Sequence, residues 1–272
     1  MIAALRAEAL KLTTTRLWWV LALILVGYVG FTAALLAGLF GALGDQLATQ
    51  PDAPQLPPDL IAPVVYSTVT AIGYVFPLIL GTLAVTSEVR YQTLTPTFLA
   101  EPRRGRVLGA KLVVLAVAGA VYGLVGLVVS IGLGGTILAA TGTDNALGDP
   151  DTWALAARIV LAMALWAVIG VGIGSLIQNQ IAAIIVVLAF TQFVEPILRF
   201  GTSIWEWTAS IGRFLPGAAS DALVGSSIFT SFGVGGGPVE PLQWWQGGLV
   251  LLGIALVVAL IGYLTAWRRD IT

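Results

Sequence analysis

The feature that most constrains this chain is a run of 36 residues, 159–194, that contains no charged side chain. As one α-helix it would be about 54 Å long at ~1.5 Å per residue, whereas the hydrocarbon core of a bilayer is about 30 Å thick. The polar triplet Gln178-Asn179-Gln180 lies near the middle of the run. The run therefore predicts two membrane-spanning helices joined by a tight turn.

Four further uncharged runs are long enough to cross a bilayer, so we predict an all-α membrane protein with a single transmembrane domain of six helices. Only 10% of the residues are charged, against about 25% in a soluble domain, which is too few to cover a water-facing surface. Pro63 and Pro77 are expected to interrupt the second span. The predicted spans cover about 17–43, 60–87, 107–140, 153–177, 181–198 and 244–267.

The basic residues predict the orientation, because lysine and arginine accumulate on the cytoplasmic side of membrane proteins. With a cytoplasmic N-terminus, ten of the 13 basic residues lie inside, and only Arg158, Arg199 and Arg213 lie outside. The outer loops 44–59 and 141–153 carry aspartates and no basic residue. We therefore expect a multi-pass protein of the cell membrane, in a bacterium, with both termini in the cytoplasm.

Residues 1–16 predict a short amphipathic helix that lies in the inner membrane interface. Ile2, Leu5, Ala9 and Leu12 share one face at helical spacing, and Lys11 is turned away from it. The alternative is a cleaved signal peptide, but the apolar run that follows is about twice the usual length of ~7–15 residues for the apolar part of a signal.

The densest charge lies in the loop between the second and third spans, "TLTPTFLAEPRRGRVLGAK". Thr95 before Pro96 predicts an N-cap followed by proline at the first helical position. The basic residues alone are explained by topology and by contacts with anionic lipid. They do not explain Phe98 and Leu99, because apolar side chains exposed to water usually mark a docking surface. We therefore predict a short helix that presents this pair to a partner.

Glu195 and Arg199 are four residues apart near the outer end of the fifth span. Charges within a span are costly and are usually paired, so we predict a structural ion pair at the outer interface; a role in substrate or proton handling is the alternative. Small residues that let helices approach closely occur in the third and fourth spans, at glycines 119, 123, 126, 170, 172 and 174.

The composition argues against catalysis by this chain, because histidine and cysteine are both absent. An enzyme acting on lipid would need a nucleophile with a base, or paired acids, near the interface. Asp144, Asp149 and Asp151 share an outer loop and could hold a metal ion, but acids in loops are usually solvated. We expect a transport subunit rather than an enzyme.

Two stretches carry a family resemblance, "ALRAEALKLTTTRLWW" at the start and "SEVRYQTLTPTFLAEPRRGRVLGAKL" after the second span. Together they resemble ABC transporter permeases of the type-2 exporter class. In that family an amphipathic helix precedes six spans, and a cytoplasmic coupling helix after the second span seats in the ATPase subunit. An extracellular segment with short re-entrant helices precedes the last span, and residues 201–240, including "GRFLPGAASDALVG", are similar to it, so we expect an extracellular segment over 199–243. The resemblance implies an ATPase-docking role for Glu88, Arg90, Thr95, Pro96, Phe98, Leu99, Glu101, Arg103, Arg104 and Arg106.

The resemblance also implies the partners. Two permease subunits, identical or related, would each bind a separate ABC ATPase that holds ATP-Mg, and would export an amphipathic or lipophilic substrate. The chain lacks the G-x-x-x-x-G-K-[ST] phosphate loop, so we expect it to bind no cofactor itself, and to contact membrane lipids but no nucleic acid. The alternative is an ion- or proton-coupled secondary transporter without an ATPase, which would need buried carboxylates or a broken helix at mid-membrane.

Overall fold

The computed structural model of the protein describes residues 1–44, 56–202, 206–231 and 242–267, which form helices and turns with no β-strand among them. Six helical segments are long and apolar enough to cross a membrane, which confirms the prediction of an all-α, six-helix membrane protein. In chain order, spans 1 to 6 are Leu17–Ala42, Pro58–Arg90, Arg104–Ala140, Pro150–Leu176, Gln180–Gly201 and Trp244–Thr265.

Shorter helices lie between and before the spans. The N-terminal helix is Ile2–Thr14, and the loop helix between spans 2 and 3 is Leu94–Ala100. The segment between spans 5 and 6 forms the helices Glu206–Gly212, Pro216–Val224 and Ile228–Ser231. Parts of the predicted outer loops and of the C-terminus lie outside the described residues, at 45–55, 203–205, 232–241 and 268–272.

The 36-residue uncharged run is divided as its length requires. Span 4 ends at Leu176, and the first helix of span 5 begins at Gln180. The Asn179 side chain accepts hydrogen bonds from the backbone N–H groups of Ile181 (3.0 Å) and Ala182 (3.1 Å). The first turn of a helix leaves such N–H groups without an internal partner. The polar triplet therefore separates the two helices because its asparagine caps the second one.

Span 2 is broken into the helices Pro58–Ala71 and Val75–Arg90. A proline ring collides with the carbonyl four residues earlier, and the residue four before Pro77 is Gly73, in the turn between the two helices. Pro77 therefore accounts for the break, as expected. Pro63 does not interrupt its helix, so that part of the prediction was wrong. The residue four before Pro63 is Asp59, in the first turn, where losing one hydrogen bond leaves the rest of the helix intact.

Spans 2 and 4 form the centre of the bundle. In their most apolar stretches 78% and 61% of the residues are buried, against 22–33% in the other four spans. Glycine makes this contact possible, because a side chain at Gly170 would collide with the backbone carbonyl of Leu78. The predicted packing role of the glycines is confirmed, since a Cβ atom would also crowd a neighbouring helix at Gly119, Gly123, Gly126, Gly172 and Gly174.

Four of the spans contain a π-helical turn, a wider turn that appears mostly as a local bulge and often near functional sites. Such a turn lets a helix change the face it presents without breaking. The turns are Gly38–Ala42 in span 1, Ser130–Gly135 in span 3, Phe190–Val194 in span 5 and Tyr263–Trp267 at the end of span 6.

Candidate functional site

The loop helix starts two residues earlier than predicted, at Leu94 instead of Pro96. The chain reverses after span 2 through Gln92, which has a φ of 55°, and the N–H of Thr93 donates to the carbonyl of Glu88 (3.0 Å). This turn ends at Thr93, so the helix begins directly afterwards at Leu94. Thr95 therefore lies inside the helix, and the prediction that it forms the N-cap was wrong.

The predicted apolar pair of the loop helix is divided between two environments. Leu99 is 80% exposed, whereas Phe98 is half-buried and packs against the hydrophobic core. The guanidinium of Arg104 lies over the Phe98 ring, 5.1 Å from its centroid. Leu99 is therefore the apolar side chain that the loop helix presents, and Phe98 attaches the helix to the bundle.

The charged residues around the loop helix differ in how firmly they are held. Arg90 is exposed, and its Nη1 donates to Oε1 of Gln180 at the start of span 5 (3.2 Å). Glu101 lies 3.8 Å from Nη1 of Arg106 and accepts from the backbone N–H of Arg103 (3.3 Å). Most of the predicted docking residues are thus exposed at one end of the bundle, namely Arg90, Thr95, Pro96, Leu99, Arg103 and Arg106.

Behind the loop helix lies a four-charge cluster made of Glu8, Lys11, Glu88 and Lys111. Nζ of Lys111 contacts Oε2 of Glu8 (2.5 Å) and Oε1 of Glu88 (3.0 Å). Nζ of Lys11 contacts Oε1 of Glu8 (2.7 Å) and Oε1 of Glu88 (2.8 Å). With two acids and two lysines the cluster is neutral, which is the condition under which buried charges are tolerated. It joins the N-terminal helix to spans 2 and 3.

The cluster shifts the pKa values of the two groups on the N-terminal helix. Burial acts to raise the pKa of Glu8, but Lys111 and Lys11 outweigh it and the pKa is lowered from 4.5. Burial acts to lower the pKa of Lys11, but Glu8 and Glu88 outweigh it and the pKa is raised from 10.5. The stabilisation that Glu8 gives to the packing of the N-terminal helix on the bundle is therefore complete above pH 4.5 and is lost as the pH falls through the lowered pKa. The Lys11 contribution is complete below pH 10.5 and is lost as the pH rises through the raised pKa.

The orientation of the N-terminal helix differs from the prediction. Glu8 is buried against the bundle and Lys11 is turned toward it, whereas Ile2 is 84% exposed. The expectation that Lys11 points away was wrong, because Lys11 pairs with the buried Glu88 of span 2 and Glu8 pairs with the buried Lys111 of span 3. The sequence held a signal for this pairing, because Lys111 lies inside span 3 beyond its arginine-rich entry, on the same predicted side of the membrane as Glu88.

A second buried ionic group joins span 5 to the segment before span 6. Nη2 of Arg199 lies 3.3 Å from Oε1 of Glu195, and Nη1 lies 2.7 Å from Oδ2 of Asp221. The backbone N–H of Gly217 donates to Oε1 of Glu195 (2.5 Å). The predicted pair of Glu195 and Arg199 is thus present as part of a triad. Asp221, which the sequence reasoning missed, could have been noticed as the one acid among small and apolar residues in "GAASDALV".

Two of the three outer-loop aspartates, Asp144 and Asp149, accept hydrogen bonds from the local backbone. Oδ1 of Asp149 accepts from the N–H of Asp151 (3.0 Å) at the start of span 4, and Oδ1 of Asp144 accepts from the N–H of Ala146 (2.9 Å). Among the described residues no three histidine, cysteine, aspartate or glutamate side chains are grouped to hold a metal ion.

The class of the protein is defined by its structure, because the sequence comparisons with known proteins found no match. No protein-family model matches the chain, and no curated protein matches its sequence. The fold defines a multi-pass membrane protein with six apolar helices. Two buried ionic groups, the four-charge cluster and the triad of Glu195, Arg199 and Asp221, are its chemically distinctive features.

Proposed function

We propose that this chain is the membrane-spanning permease subunit of an ATP-driven ABC exporter, which moves an amphipathic or lipophilic substrate outward. It is coupled to a separate ATPase subunit through the cytoplasmic loop 88–111. The observation that carries the proposal is the loop helix, which presents Leu99 with 80% of its surface exposed directly beside the four-charge cluster. An exposed apolar side chain on a firmly held helix suits a protein partner.

The attachment of the loop helix suits the transmission of movement. Phe98 packs against the core, the N–H of Thr93 donates to the carbonyl of Glu88, and Nζ of Lys11 lies 3.4 Å from Oγ1 of Thr97. A push on the loop helix would therefore be transmitted to the N-terminal helix and to span 2. We assign Glu88, which is buried, to anchoring the loop rather than to direct contact with the ATPase.

A groove beside the loop helix adds a recess for a partner side chain. It has a volume of about 440 Å³ and lies between the N-terminal helix and the loop helix. Its walls include Ala7, Thr93, Pro96, Thr97 and Glu101. The exposed arginines beside it, Arg103 and Arg106, would contact acidic groups of the ATPase.

The first test is purification of the tagged chain from its native membrane in mild detergent. We expect a stoichiometric ATPase with a phosphate loop to co-purify, and a second membrane subunit if the dimer is a heterodimer.

The Leu99→Ser variant should fold and insert normally but lose ATPase association. The matched control is Leu10→Ser, because Leu10 is also exposed (55%) but lies on the side of the N-terminal helix away from Glu8. Equal retention of the ATPase by both variants would refute docking through Leu99.

The second candidate function is an ion- or proton-coupled secondary transporter. It is favoured by the break in span 2 and by the buried carboxylate of Glu195, since broken helices and buried acids mark the ion sites of such proteins. The two functions differ in their energy source. Transport by the purified chain in liposomes, driven by an ion gradient without ATP or an ATPase, would establish this alternative.

A further inference from the structure

A cavity of about 210 Å³ lies where the break in span 2 faces the π-helical turn of span 5 and the helix Pro216–Val224. Its walls carry the buried triad together with Tyr74, Thr191 and Ser220. The docking of the loop helix involves none of these residues. The cavity is therefore a separate candidate site.

When both of its carboxyl groups are ionised, the cavity wall carries one uncompensated negative charge. Glu195 and Asp221 supply two negative charges, and Arg199, which is bonded to both, supplies one positive charge. Oε1 of Glu195 accepts from Arg199 and from Gly217. Oε2 of the same carboxylate is buried and accepts no hydrogen bond from any described residue, and Glu195 is only 2% exposed. A buried carboxylate oxygen without a donor is costly, so a positively charged donor in the cavity would stabilise the ionised form of this wall.

The backbone adds hydrogen-bond acceptors to the cavity wall. Thr70 and Ala71 end the first helix of span 2 and line the cavity. The last carbonyl groups of a helix lack internal donors and carry partial negative charge. The cavity wall thus includes both a carboxylate group and the negative end of a helix, which favours a cation.

The remaining wall decides which kind of cation fits. The side chains of Ala71, Ile72 and Pro196 provide apolar surface, which would contact carbon atoms and offers no ligand to a metal ion. The Tyr74 ring also lines the cavity, and aromatic rings attract organic cations. An ammonium group needs one anionic acceptor and a few neutral oxygens, all of which are present. A metal ion usually needs more carboxylate or carbonyl ligands.

We propose that this cavity binds the ammonium head group of an alkylammonium compound. The volume suits a head group with a short carbon chain, because pockets for whole drug-sized molecules measure about 300–1,000 Å³. Gln192 is exposed and lines the cavity, so it marks the side from which the head group enters. As a statement about the exported substrate this rests on the proposed transport function, whereas the binding itself requires no ATPase.

The test is titration of the purified full-length chain with hexylammonium chloride, followed by tryptophan fluorescence. The Trp166 ring lies 4.4 Å from the Tyr74 ring, centroid to centroid, and its Nε1 donates to Oγ of Ser220 (3.1 Å). Trp166 therefore reports on the cavity wall, and the Trp166→Phe variant identifies its share of the signal. We expect a saturable change with hexylammonium, none with hexanol, and none with sodium chloride at equal concentration.

The matched variant is Glu195→Gln, which keeps the shape of the side chain and an acceptor for Gly217 but removes the negative charge. A charge-assisted hydrogen bond contributes about 1.5–3 kcal/mol, so binding should weaken at least about tenfold. Equal binding by Glu195→Gln, or an equal response to hexanol, would overturn the proposal. Saturable binding of sodium that displaces hexylammonium would replace the ammonium assignment with a metal-ion site.

If Glu195→Gln does not purify as a folded protein, Ala71→Leu takes its place, because a larger side chain there occupies part of the cavity. Loss of hexylammonium binding by folded Ala71→Leu supports the site, and retained binding contradicts it. If hexylammonium does not bind, the ammonium site is refuted, but the proposed association with an ATPase is not. Conversely, a chain that purifies without an ATPase but binds hexylammonium contradicts only the proposed exporter.

Discussion

Replacement of Lys111 by methionine should release the N-terminal helix from the bundle. Lys111 is 1% exposed, and its Nζ contacts Glu8, Glu88 and the carbonyl of Ala84 (3.3 Å). Methionine keeps an unbranched side chain of nearly the same length but leaves two carboxylates with only Lys11 to neutralise them. Removing one partner of a buried ion pair costs about 3–5 kcal/mol, because the other charge stays buried and uncompensated.

The loss should appear as undocking of the N-terminal helix rather than as unfolding of the bundle. Glu88 is fixed in span 2, but Glu8 can regain water when the N-terminal helix leaves. A cost of ~3 kcal/mol shifts the docking equilibrium by about two orders of magnitude. Amide hydrogen exchange of residues 2–14 in detergent measures this shift, and the core of span 4 should keep its protection.

The matched control is Lys11→Met, which removes the other lysine of the cluster. The Lys11 side chain is 37% exposed, so solvent screens its contacts and the loss should be about 1 kcal/mol or less. Unchanged protection in Lys111→Met would refute the assignment of the cluster as the anchor of this helix. So would a larger effect from Lys11→Met than from Lys111→Met.

Two further perturbations test the cluster and the packing. The N-terminal helix should stay docked on the bundle from about pH 5 to 10. Its amide hydrogen exchange should rise on acidification, as Glu8 protonates below pH 4.5, and in strong base, as Lys11 loses its proton above pH 10.5. Exchange that does not depend on pH, after correction for the intrinsic rate, would contradict this. Gly170→Ala should lower the free energy of unfolding by about 1–3 kcal/mol, because the new methyl group overpacks the contact with span 2. The control Gly253→Ala has open space and should be neutral or stabilising by up to ~1 kcal/mol; an equal effect of both variants would argue against close packing of spans 2 and 4.

Much of the fold could be predicted from local properties of the chain. An uncharged run either crosses the bilayer or leaves apolar surface in water, so the number of spans follows from composition and length. The turn at Asn179 and the break before Pro77 are equally local, since each depends on hydrogen bonds within four residues. The glycines of spans 3 and 4 predicted close packing but not which helices would meet.

The candidate sites depended on the tertiary structure. Glu8 and Lys111 are separated by 103 positions, and Asp221 lies 22 positions after Arg199, so no local pattern pairs them. Phe98 and Leu99 are adjacent and similarly apolar, yet one is held beneath Arg104 and the other is exposed. Hydropathy determines that a segment enters the membrane, but which side chains meet there depends on helix packing, where shape and hydrogen bonding replace the hydrophobic effect. The sequence alone therefore determined the six membrane-spanning helices, and only their packing decided which buried charges became partners.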